Sequence, residues 1–342
     1  MKAWQIYRKV DLAHEREPLR MAELPTPKPG ANQVLIKVAC CGVCHTELDE
    51  IEGRTPPPRY PVVPGHQVIG VVEQTGASVT QHKVGDRVGV AWIYSSCGKC
   101  SYCKGGLENL CPEFRATGRD ADGGYAEYLV IPESSAAPIP GRFSNEQAAP
   151  LLCAGAIGYR SLKLAGLQAG QTLGLTGFGA SAHLVIKMAR HLFPDSPLIA
   201  FARNEEEQSF ARSLGAGWAG STTDMPPSKA DAIIDTTPAW APAIAALKHL
   251  KPGGRLVINA IRKEGGDKSA LLNLDYADHL WMEKEIKSVA NITLADVREF
   301  LELAGQVPIL PTVETYPFDK ANEALLDLKL KRVRGAKVLI VR

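Results

Sequence analysis

A glycine-rich turn within an alternating series of short apolar runs constrains the fold of this chain more than any other feature. From about residue 170, stretches of helical periodicity alternate with QTLGLTG, SPLIAFAR, KADAIIDTT, GRLVINA and KEIKSVAN, which predicts a parallel sheet wrapped by helices. The first run leads directly into GFGASAH, where Gly177, Gly179 and Ala182 form the pattern G-x-G-x-x-A. The two glycines permit a tight turn and close approach of a pyrophosphate, and the small third residue lets helix meet strand. This part of the chain therefore predicts a doubly wound α/β domain of the Rossmann type that binds a dinucleotide.

The end of the second predicted strand bears on which dinucleotide is bound. An acid there would bind the ribose hydroxyls of NAD, but LIAFARNEEE has Ala202 and Arg203 at this point. An arginine can accommodate a 2′-phosphate or stack on adenine. The acids Glu205 to Glu207 lie further on, where they suit the first turn of a helix. The sequence favours NADP slightly over NAD, and both cofactors stay open.

Length and composition narrow the class of protein. A chain of 342 residues that is 45% hydrophobic has enough material for two buried cores. The formal net charge is +2, and the basic run from Lys329 to Arg334 is more typical of a solvated face than of a nucleic-acid site. The charged N-terminus does not resemble a signal peptide, and no apolar run is long enough to span a bilayer. We expect a cytoplasmic protein without nucleic-acid or membrane partners.

Half of the eight cysteines lie in one short segment, CGKCSYCKGGLENLC. Closely spaced cysteines in a reducing compartment indicate metal ligands rather than disulfides. Four thiolates suit zinc and complete its tetrahedral shell, so this site is expected to stabilise a loop without doing chemistry. The alternatives are an iron–sulfur cluster or unligated thiols. The four sulfur donors are Cys97, Cys100, Cys103 and Cys111.

Metal chemistry needs a second kind of site, with three protein ligands and one open position. Donors outside the four-cysteine loop occur in CGVCHTELDE at 41–50, PGHQVIG at 64–70 and PLLCAGAIGYRSL at 150–162. Each stretch alone is ambiguous, because a buried cysteine is often a core residue and a single histidine is often only hydrogen-bonded.

The order of these stretches, with the four-cysteine loop and GGYAEY at 123–128, resembles the zinc-dependent medium-chain alcohol dehydrogenases over nearly the whole chain. The resemblance implies a catalytic zinc bound by Cys44, His66 and Cys153, with one position left for water or a substrate oxygen. Such an ion lowers the pKa of a bound alcohol. With the structural ion of the four-cysteine loop, two zinc ions per chain are implied.

The same resemblance assigns roles to neighbours of the ligands. Thr46 is expected to take the alcohol proton, and His45 to contact the pyrophosphate of the cofactor. Glu47 is expected to orient the ring of His66, although an acid after a metal-binding turn could also be an exposed charge.

Three positions depart from the family pattern. Gln67 stands where an acid commonly follows the ligand histidine, which removes a negative charge near the zinc. Asp49 replaces a histidine that ends the proton path in one branch, so Asp49 accepts the proton or the relay ends elsewhere. In the C-terminal tail, Ala336 occupies the place of a cofactor-binding arginine, and whether Lys337 substitutes for it stays open.

The resemblance also implies the domain organisation. A GroES-like, mostly β catalytic domain is expected at 1–152 and 291–342, and the Rossmann domain at 153–290. The tail FDKANEALLDLKLKRVRGAKVLIV reads as a helix followed by a strand that returns to the first domain. The family further implies a homodimer or homotetramer.

Substrate identity is weakly encoded. Trp92 matches an aromatic residue of the alcohol pocket but could equally be core packing, and the small Thr55 would suit larger alcohols or aldehydes. The leading hypothesis is hydride transfer between a primary alcohol or aldehyde and NAD(P). The alternatives are a reductase of another carbonyl or polyol and a noncatalytic sensor that binds dinucleotide and zinc; the retained three-ligand set argues against the sensor.

Overall fold

The computed structural model describes residues 1–179, 181–307, 309–330 and 335–342. Ala180 in the glycine-rich turn and residues 331–334 of the basic run thus lie outside the described residues. The chain divides into two compact units, the first formed by Met1–Ala156 and Ile292–Arg342 and the second by Ile157–Asn291. The expected limits at 152 and 291 lie close to these, and the first division falls inside a helix, Ala154–Ala165.

The first stretch of the chain, up to the helix that contains the division between the two units, consists mostly of short strands. In chain order they are β1 Lys2–Ile6, β2 Leu19–Glu23, β3 Gln33–Val43, α1 His45–Ile51, β4 Val68–Thr75, β5 Arg87–Val90, β6 Ile93–Ser95, α2 Ser101–Lys104, β7 Arg115–Ala116, β8 Tyr128–Pro132, β9 Ala136–Pro138, α3 Asn145–Ala148 and α4 Ala154–Ala165.

Strands and helices then alternate through the second unit before the chain returns to the first. The second unit contains β10 Leu173–Thr176, α5 Ala182–Leu192, β11 Leu198–Phe201, α6 Glu205–Ser213, β12 Trp218–Gly220, β13 Ala230–Asp235, α7 Trp240–Lys248, β14 Leu250–Ile258 and β15 Glu285–Ser288. The returning segment contains α8 Leu294–Gln306, β16 Val313–Pro317, α9 Ala321–Lys329 and β17 Ala336–Ile340.

A seven-stranded sheet organises the first unit, in the order β16-β17-β3-β4-β5-β9 with β8 also paired to β3. The long β3 strand is rich in β-branched residues and is buried along most of its length. The C-terminal strand β17 pairs antiparallel with β3, placing Leu339 opposite Cys41, so the tail completes the sheet of the first unit. The end of β3 leads into α1, and β4 begins just after His66, which brings two candidate ligands to one end of neighbouring strands.

The second unit is a six-stranded parallel sheet in the order β12-β11-β10-β13-β14-β15. Every residue of β10 and β11 is buried, as expected for strands covered on both faces by helices. Five of the strands coincide with the five predicted apolar runs. The sequence did not predict β12, whose three residues form no apolar run. The strand order reverses between β10 and β13, and dinucleotides bind at the carboxyl edge of such a switch point. No helix among the described residues combines the length and apolar character needed to cross a membrane.

Candidate functional site

Helix α1 begins at a candidate metal ligand. Cys44 is the N-cap residue: its sulfur accepts a hydrogen bond from Thr46 N (3.4 Å), and its own N–H donates to Glu47 Oε2 (2.8 Å). This reciprocal arrangement is a capping box, which satisfies backbone donors that a helix start otherwise leaves unpaired. The cap holds the Cys44 backbone against the buried Glu47 carboxylate, while His45 is exposed and Thr46 is half-buried.

Three predicted zinc ligands come together in the first unit. His66 Nε2 lies 3.6 Å from Cys44 Sγ and 3.4 Å from Cys153 Sγ, and all three donor atoms lie within 4.8 Å of one another. Cys153 directly follows the 3₁₀ turn Ala149–Leu152. This turn brings a residue that is distant in sequence next to Cys44 and His66. The other ring nitrogen, His66 Nδ1, lies 2.8 Å from Glu47 Oε1. A carboxylate at this nitrogen orients the imidazole and selects the tautomer with Nε2 free to bind a metal.

The donor set fits a divalent cation. Contact with Cys153 and burial raise the pKa of the Cys44 thiol well above its ordinary value. Two close thiolates are therefore unfavourable unless a positive charge lies between them. Two sulfurs and one imidazole are the three-ligand pattern of a catalytic zinc centre, and within the described residues only this group and the four-cysteine loop gather donors of this kind. The assignment of the three ligands stays a prediction that zinc analysis can test.

Asp49, a candidate for the proton relay, is committed to an ion pair. Its side chain is only 3% exposed, and Arg54 Nε lies 2.5 Å from Asp49 Oδ1. Arg54 also contacts Glu52 (2.5 Å), and Glu52 in turn pairs with Lys329 of α9. Of the two alternatives that the sequence left open, this geometry favours a relay that ends elsewhere.

The remaining residues predicted around the metal have clear positions. Gln67 is buried against β3, so that a Cβ at Gly42 would lie 2.5 Å from Gln67 Oε1. The ring of Trp92 packs edge-on against His66, with 5.0 Å between the ring centroids. Trp92 therefore contacts a candidate ligand while also being buried, which leaves the pocket assignment a prediction. The hydroxyl of Thr55 is buried and has no hydrogen-bond partner among the described residues.

Lys337 is bound inside the first unit. Its Nζ lies 2.5 Å from Tyr316 Oη and 3.1 Å from Glu314 Oε2, and its side chain is 1% exposed. Tyr316 also donates to Asp327 Oδ2 (3.0 Å). The ammonium group is satisfied by this internal network, which argues against Lys337 taking the place of the family's cofactor-binding arginine.

The four-cysteine loop holds its sulfurs with backbone N–H groups. All four sulfur atoms lie within 4.8 Å of one another. Hydrogen bonds from the N–H groups of Lys99 and Cys100 lower the pKa of Cys97 to about 6. Although the N–H group of Cys97 opposes the shift, burial and contacts with Cys97 and Cys103 raise the pKa of Cys111 to about 11. The backbone therefore favours a thiolate at Cys97, but the complete set of four thiolates needs a cation, and it fits a closed zinc site. The N–H···S contacts are Cys97 N to Cys111 Sγ (3.5 Å), Cys100 N to Cys97 Sγ (3.4 Å), Cys103 N to Cys100 Sγ (3.5 Å) and Glu113 N to Cys111 Sγ (3.3 Å).

The glycine-rich turn of the second unit lies at the carboxyl end of β10. Gly177 has a φ of +78°, and a Cβ there would lie 2.7 Å from Thr237 Cγ2 and 3.0 Å from Thr236 Oγ1. At Gly179 a Cβ would meet no described atom within 4 Å. Gly177 thus allows the chain to turn at the end of β10 beside Thr236 and Thr237, and Gly179 adds no side chain to the space at this turn. Ala182 is fully buried at the start of α5. This arrangement suits a bound pyrophosphate.

Arg203 follows β11 and is 68% exposed. Its Nε donates to Glu207 Oε1 (2.9 Å), one turn into α6. Asn204 caps that helix by accepting from Glu207 N (2.8 Å). The acids after Arg203 therefore belong to the helix, as the sequence indicated, and Glu207 is close enough to compete with a 2′-phosphate for the guanidinium.

Sequence reasoning missed a buried ion pair at the carboxyl edge of the second unit. Asp235, the last residue of β13, is fully buried and pairs with Lys263, whose side chain is 7% exposed. An acid at the end of the apolar run KADAIIDTT was a usable signal, because ligands bind beyond the carboxyl ends of such strands. Nothing in the sequence around Lys263 indicated its partner.

The comparisons with known proteins agree with this architecture. Residues 30–141 match the family model "Alcohol dehydrogenase GroES-like domain". The chain is 40% identical over 346 residues to "Probable alcohol dehydrogenase AdhA" of Mycobacterium tuberculosis, covering 100% of this chain and 97% of that protein. It is 32% identical over 333 residues to an alcohol dehydrogenase of Geobacillus stearothermophilus, covering 95% and 96%. A solved cinnamyl alcohol dehydrogenase from Sorghum bicolor matches with a TM-score of 0.82 and 28% identity, covering 99% and 97%. These matches confirm the predicted fold class, and the chain belongs to the zinc-dependent medium-chain alcohol dehydrogenase family, whose members are oxidoreductases acting on alcohols with a nicotinamide cofactor.

Proposed function

We propose that the protein transfers hydride between a primary alcohol, or the corresponding aldehyde, and NAD(P), with two zinc ions per chain. The observation that carries this proposal is the convergence of Cys44, His66 and Cys153 with Glu47 behind the histidine ring. Three donors leave one position of a tetrahedral zinc for an exchangeable ligand. Zinc bound there would act as a Lewis acid on the substrate oxygen, and the nicotinamide would supply or accept the hydride.

The side chains around the ligands manage orientation and protons. Glu47 keeps the His66 ring in one orientation and supplies negative charge behind it. The Thr46 hydroxyl, at the start of α1, is assigned as the first acceptor of the alcohol proton. His45 is exposed beside it and is assigned to the cofactor pyrophosphate and to the passage of that proton to solvent. Asp49 has no such role in this scheme, because Arg54 holds its carboxylate.

Steady-state kinetics of the zinc-loaded protein tests the proposal. The substrate panel contains aliphatic, cinnamyl-type and sugar alcohols, with ketones in the reverse direction, and each is measured with NAD and NADP. Turnover of primary alcohols or aldehydes supports the proposal, and a preference for ketones or polyols supports the related reductase. No turnover of any substrate by protein that holds two zinc ions would instead favour a noncatalytic sensor.

We assign Arg203 to cofactor choice, with a slight preference for NADP. The exposed guanidinium at the end of β11 supports this assignment, and its pairing with Glu207 explains why the preference is expected to be slight. Arg203→Asp is expected to shift the ratio of kcat/KM values toward NAD, roughly tenfold or more, because it replaces attraction for a 2′-phosphate with repulsion. An unchanged ratio would remove Arg203 from recognition of the 2′ position.

We further assign the protein to homodimers or homotetramers. The edge strand β15 is exposed along its whole length, and the segment that precedes it in the chain carries the large exposed apolar side chains Leu272, Tyr276 and Trp281. Exposed strand edges with apolar neighbours favour association. Light scattering measures the mass directly, and a monomer at micromolar concentration would contradict the assignment.

A further inference from the structure

The turn after β13 forms a wall beside the glycine-rich turn of the second unit. Thr236 N and Thr236 Oγ1 donate to Thr176 O (2.9 and 3.2 Å), which ties this turn to the end of β10. The side chains of Thr236 and Thr237 fill the space that a Cβ at Gly177 would need. A shift of the 236–239 turn would therefore change the shape of the surface that is expected to hold the cofactor.

One buried ammonium group holds this turn. Lys263 Nζ donates to three acceptors, which are the Asp235 carboxylate, Thr237 O (2.9 Å) and Ala239 O (2.8 Å). All three protons of the ammonium group thus form hydrogen bonds to the end of β13 and the turn that follows it. The other oxygen of Asp235 accepts from Thr237 Oγ1 (2.8 Å) and Thr237 N (3.2 Å).

Two further bonds join the same loops. Asn259 N donates to Asp235 O (2.8 Å), and Glu264 N donates to Pro238 O (2.7 Å). Asp267 accepts from the first two N–H groups of α7, those of Trp240 and Ala241 (both 2.8 Å). The loop after β14 therefore makes hydrogen bonds along the whole turn after β13, and the ammonium group of Lys263 lies at the centre of these bonds.

The stability of the fold alone does not explain why this ion pair is buried. Burial raises the pKa of Asp235, and the positive charge of Lys263 opposes that rise. Desolvation of a buried ion pair often cancels its attraction, so apolar residues of similar volume can be as stabilising. What the pair supplies is a defined position for two backbone carbonyls and one carboxylate at the edge where the dinucleotide is expected.

A second lysine–aspartate pair, between β13 and β14, serves as an internal control. Lys251 and Asp231 lie at the opposite, amino end of β13 and β14, with Lys251 Nζ 2.7 Å from Asp231 Oδ2. This lysine side chain is 41% exposed. This pair links β13 to β14 itself, whereas the Lys263 pair links β13 to the loop after β14 and adjoins the glycine-rich turn.

We propose that Lys263 is a positioning residue for the nicotinamide cofactor: through Asp235, Thr237 O and Ala239 O it holds the 236–239 turn in the shape that completes the wall beside Gly177. It acts through that turn and is not assigned a contact with the cofactor. The inference rests on the proposed dinucleotide-dependent function and adds a residue to it.

The test compares Lys263→Met with Lys251→Met in the full-length protein. The dissociation constants of NADH and NADPH are measured by fluorescence titration without substrate, and unfolding is followed by circular dichroism. We expect Lys263→Met to weaken binding of the preferred cofactor roughly tenfold or more. Lys251→Met is expected to bind as the wild type does, whatever its effect on the melting temperature. Equal weakening in both variants would overturn the proposal, since it would indicate a general effect of loosening the sheet.

The double variant Asp235→Asn with Lys263→Met separates positioning from the effect of an unpaired buried charge. Asparagine can still accept from Thr237, and no charge is left buried, so this variant is expected to fold even if Lys263→Met does not. We expect it to keep the weak cofactor binding because the two carbonyls still lack their donor. Wild-type affinity in the double variant, or in Lys263→Met, would overturn the proposal. Wild-type protein that binds neither NADH nor NADPH would overturn the proposed function, and this inference with it.

Discussion

The two cysteine-rich sites of this protein differ in the groups that surround their sulfur atoms. In the four-cysteine loop, backbone N–H groups donate to the sulfurs and lower the pKa of Cys97 to about 6. At the three-donor site, the contact of Cys44 with Cys153 and its burial raise the thiol pKa instead. In the loop the raised pKa of Cys111, about 11, shows that the full set of thiolates still needs a cation. The first site therefore stabilises part of its negative charge through its own backbone, whereas the pair of thiols in the second site depends on a cation. Four donors would close the shell of a zinc ion and three would leave one position open, so we propose that the first site serves as scaffold and that the second is where chemistry takes place.

The sharpest test of this comparison removes a ligand from the incomplete site. Cys153→Ala is expected to lower kcat by about a thousandfold or more, because the several kcal/mol that a metal contributes to the transition state would be lost. The melting temperature should change little, since the side chain is half-buried. Turnover is followed by cofactor absorbance and unfolding by circular dichroism. Undiminished turnover would remove Cys153 from the mechanism.

Removing a ligand from the loop should give the reverse result. Cys100→Ala is expected to destabilise the protein by about 3 kcal/mol or more, as is typical when a structural metal is lost. Bound zinc should fall from two ions per chain to one, measured by mass spectrometry of metal content. The kcat of the folded, singly loaded protein should stay within about threefold of wild type, because the loop has no open coordination position. A loss of kcat as large as that of Cys153→Ala would break the comparison.

A subtler change targets the carboxylate behind the ligand histidine. Glu47→Gln is expected to weaken zinc binding at the three-donor site by about 10–100-fold, because it removes the charge 2.8 Å from His66 Nδ1. Competition with a chromophoric chelator measures this affinity. Glu52→Gln is the matched control, since Glu52 contacts Arg54 and Lys329 instead. Equal zinc affinity in both variants would contradict the role of Glu47.

The smallest effect is expected in the zinc-free protein. Alkylation of Cys97 by iodoacetamide should rise through about pH 6 and then level off, because only the thiolate reacts and its pKa is low. Alkylation of Cys44 should stay several-fold slower at pH 7, since its raised pKa keeps the thiol protonated. Mass spectrometry of the labelled peptides gives both rates, with urea-unfolded protein as the control in which they converge. Faster labelling of Cys44 would reverse the assignment of the two environments.

Local patterns predicted the fold of the second unit and the four-cysteine loop, whereas the GroES-like unit and the three-donor site were implied by a family resemblance. The cap that joins Cys44 to Glu47 is local but was not predicted, since Glu47 was assigned only to the ring of His66. The glycine-rich turn at Gly177 also depends on residues within a few positions of one another, and it was predicted. Such features are visible in the sequence because the backbone conformation alone decides them. The apolar runs of the second unit predicted five strands because strands buried on both faces need continuous apolar side chains.

The partners of charged side chains could not be predicted in this way. Whether Asp49 carries a proton or binds Arg54 depends on the turn after α1, and Lys263 meets Asp235 only because two loops meet at one sheet edge. Lys337 similarly could reach a cofactor or an internal acid, and the antiparallel pairing of β17 with β3 puts it in the interior of the first unit. These choices are made by tertiary packing, which one-dimensional spacing does not record.

Glu47 has a consequence for anyone who redesigns this centre. Its two oxygens contact two of the proposed ligands, one through the backbone N–H of Cys44 and one through the ring of His66. Shortening Glu47 to aspartate would displace both of these proposed ligands together. Exchanging Cys153 for another donor would change only the one bond from residue 153 to the metal. A change of metal preference is therefore best sought at residue 153, with the glutamate kept as the common reference for the other two.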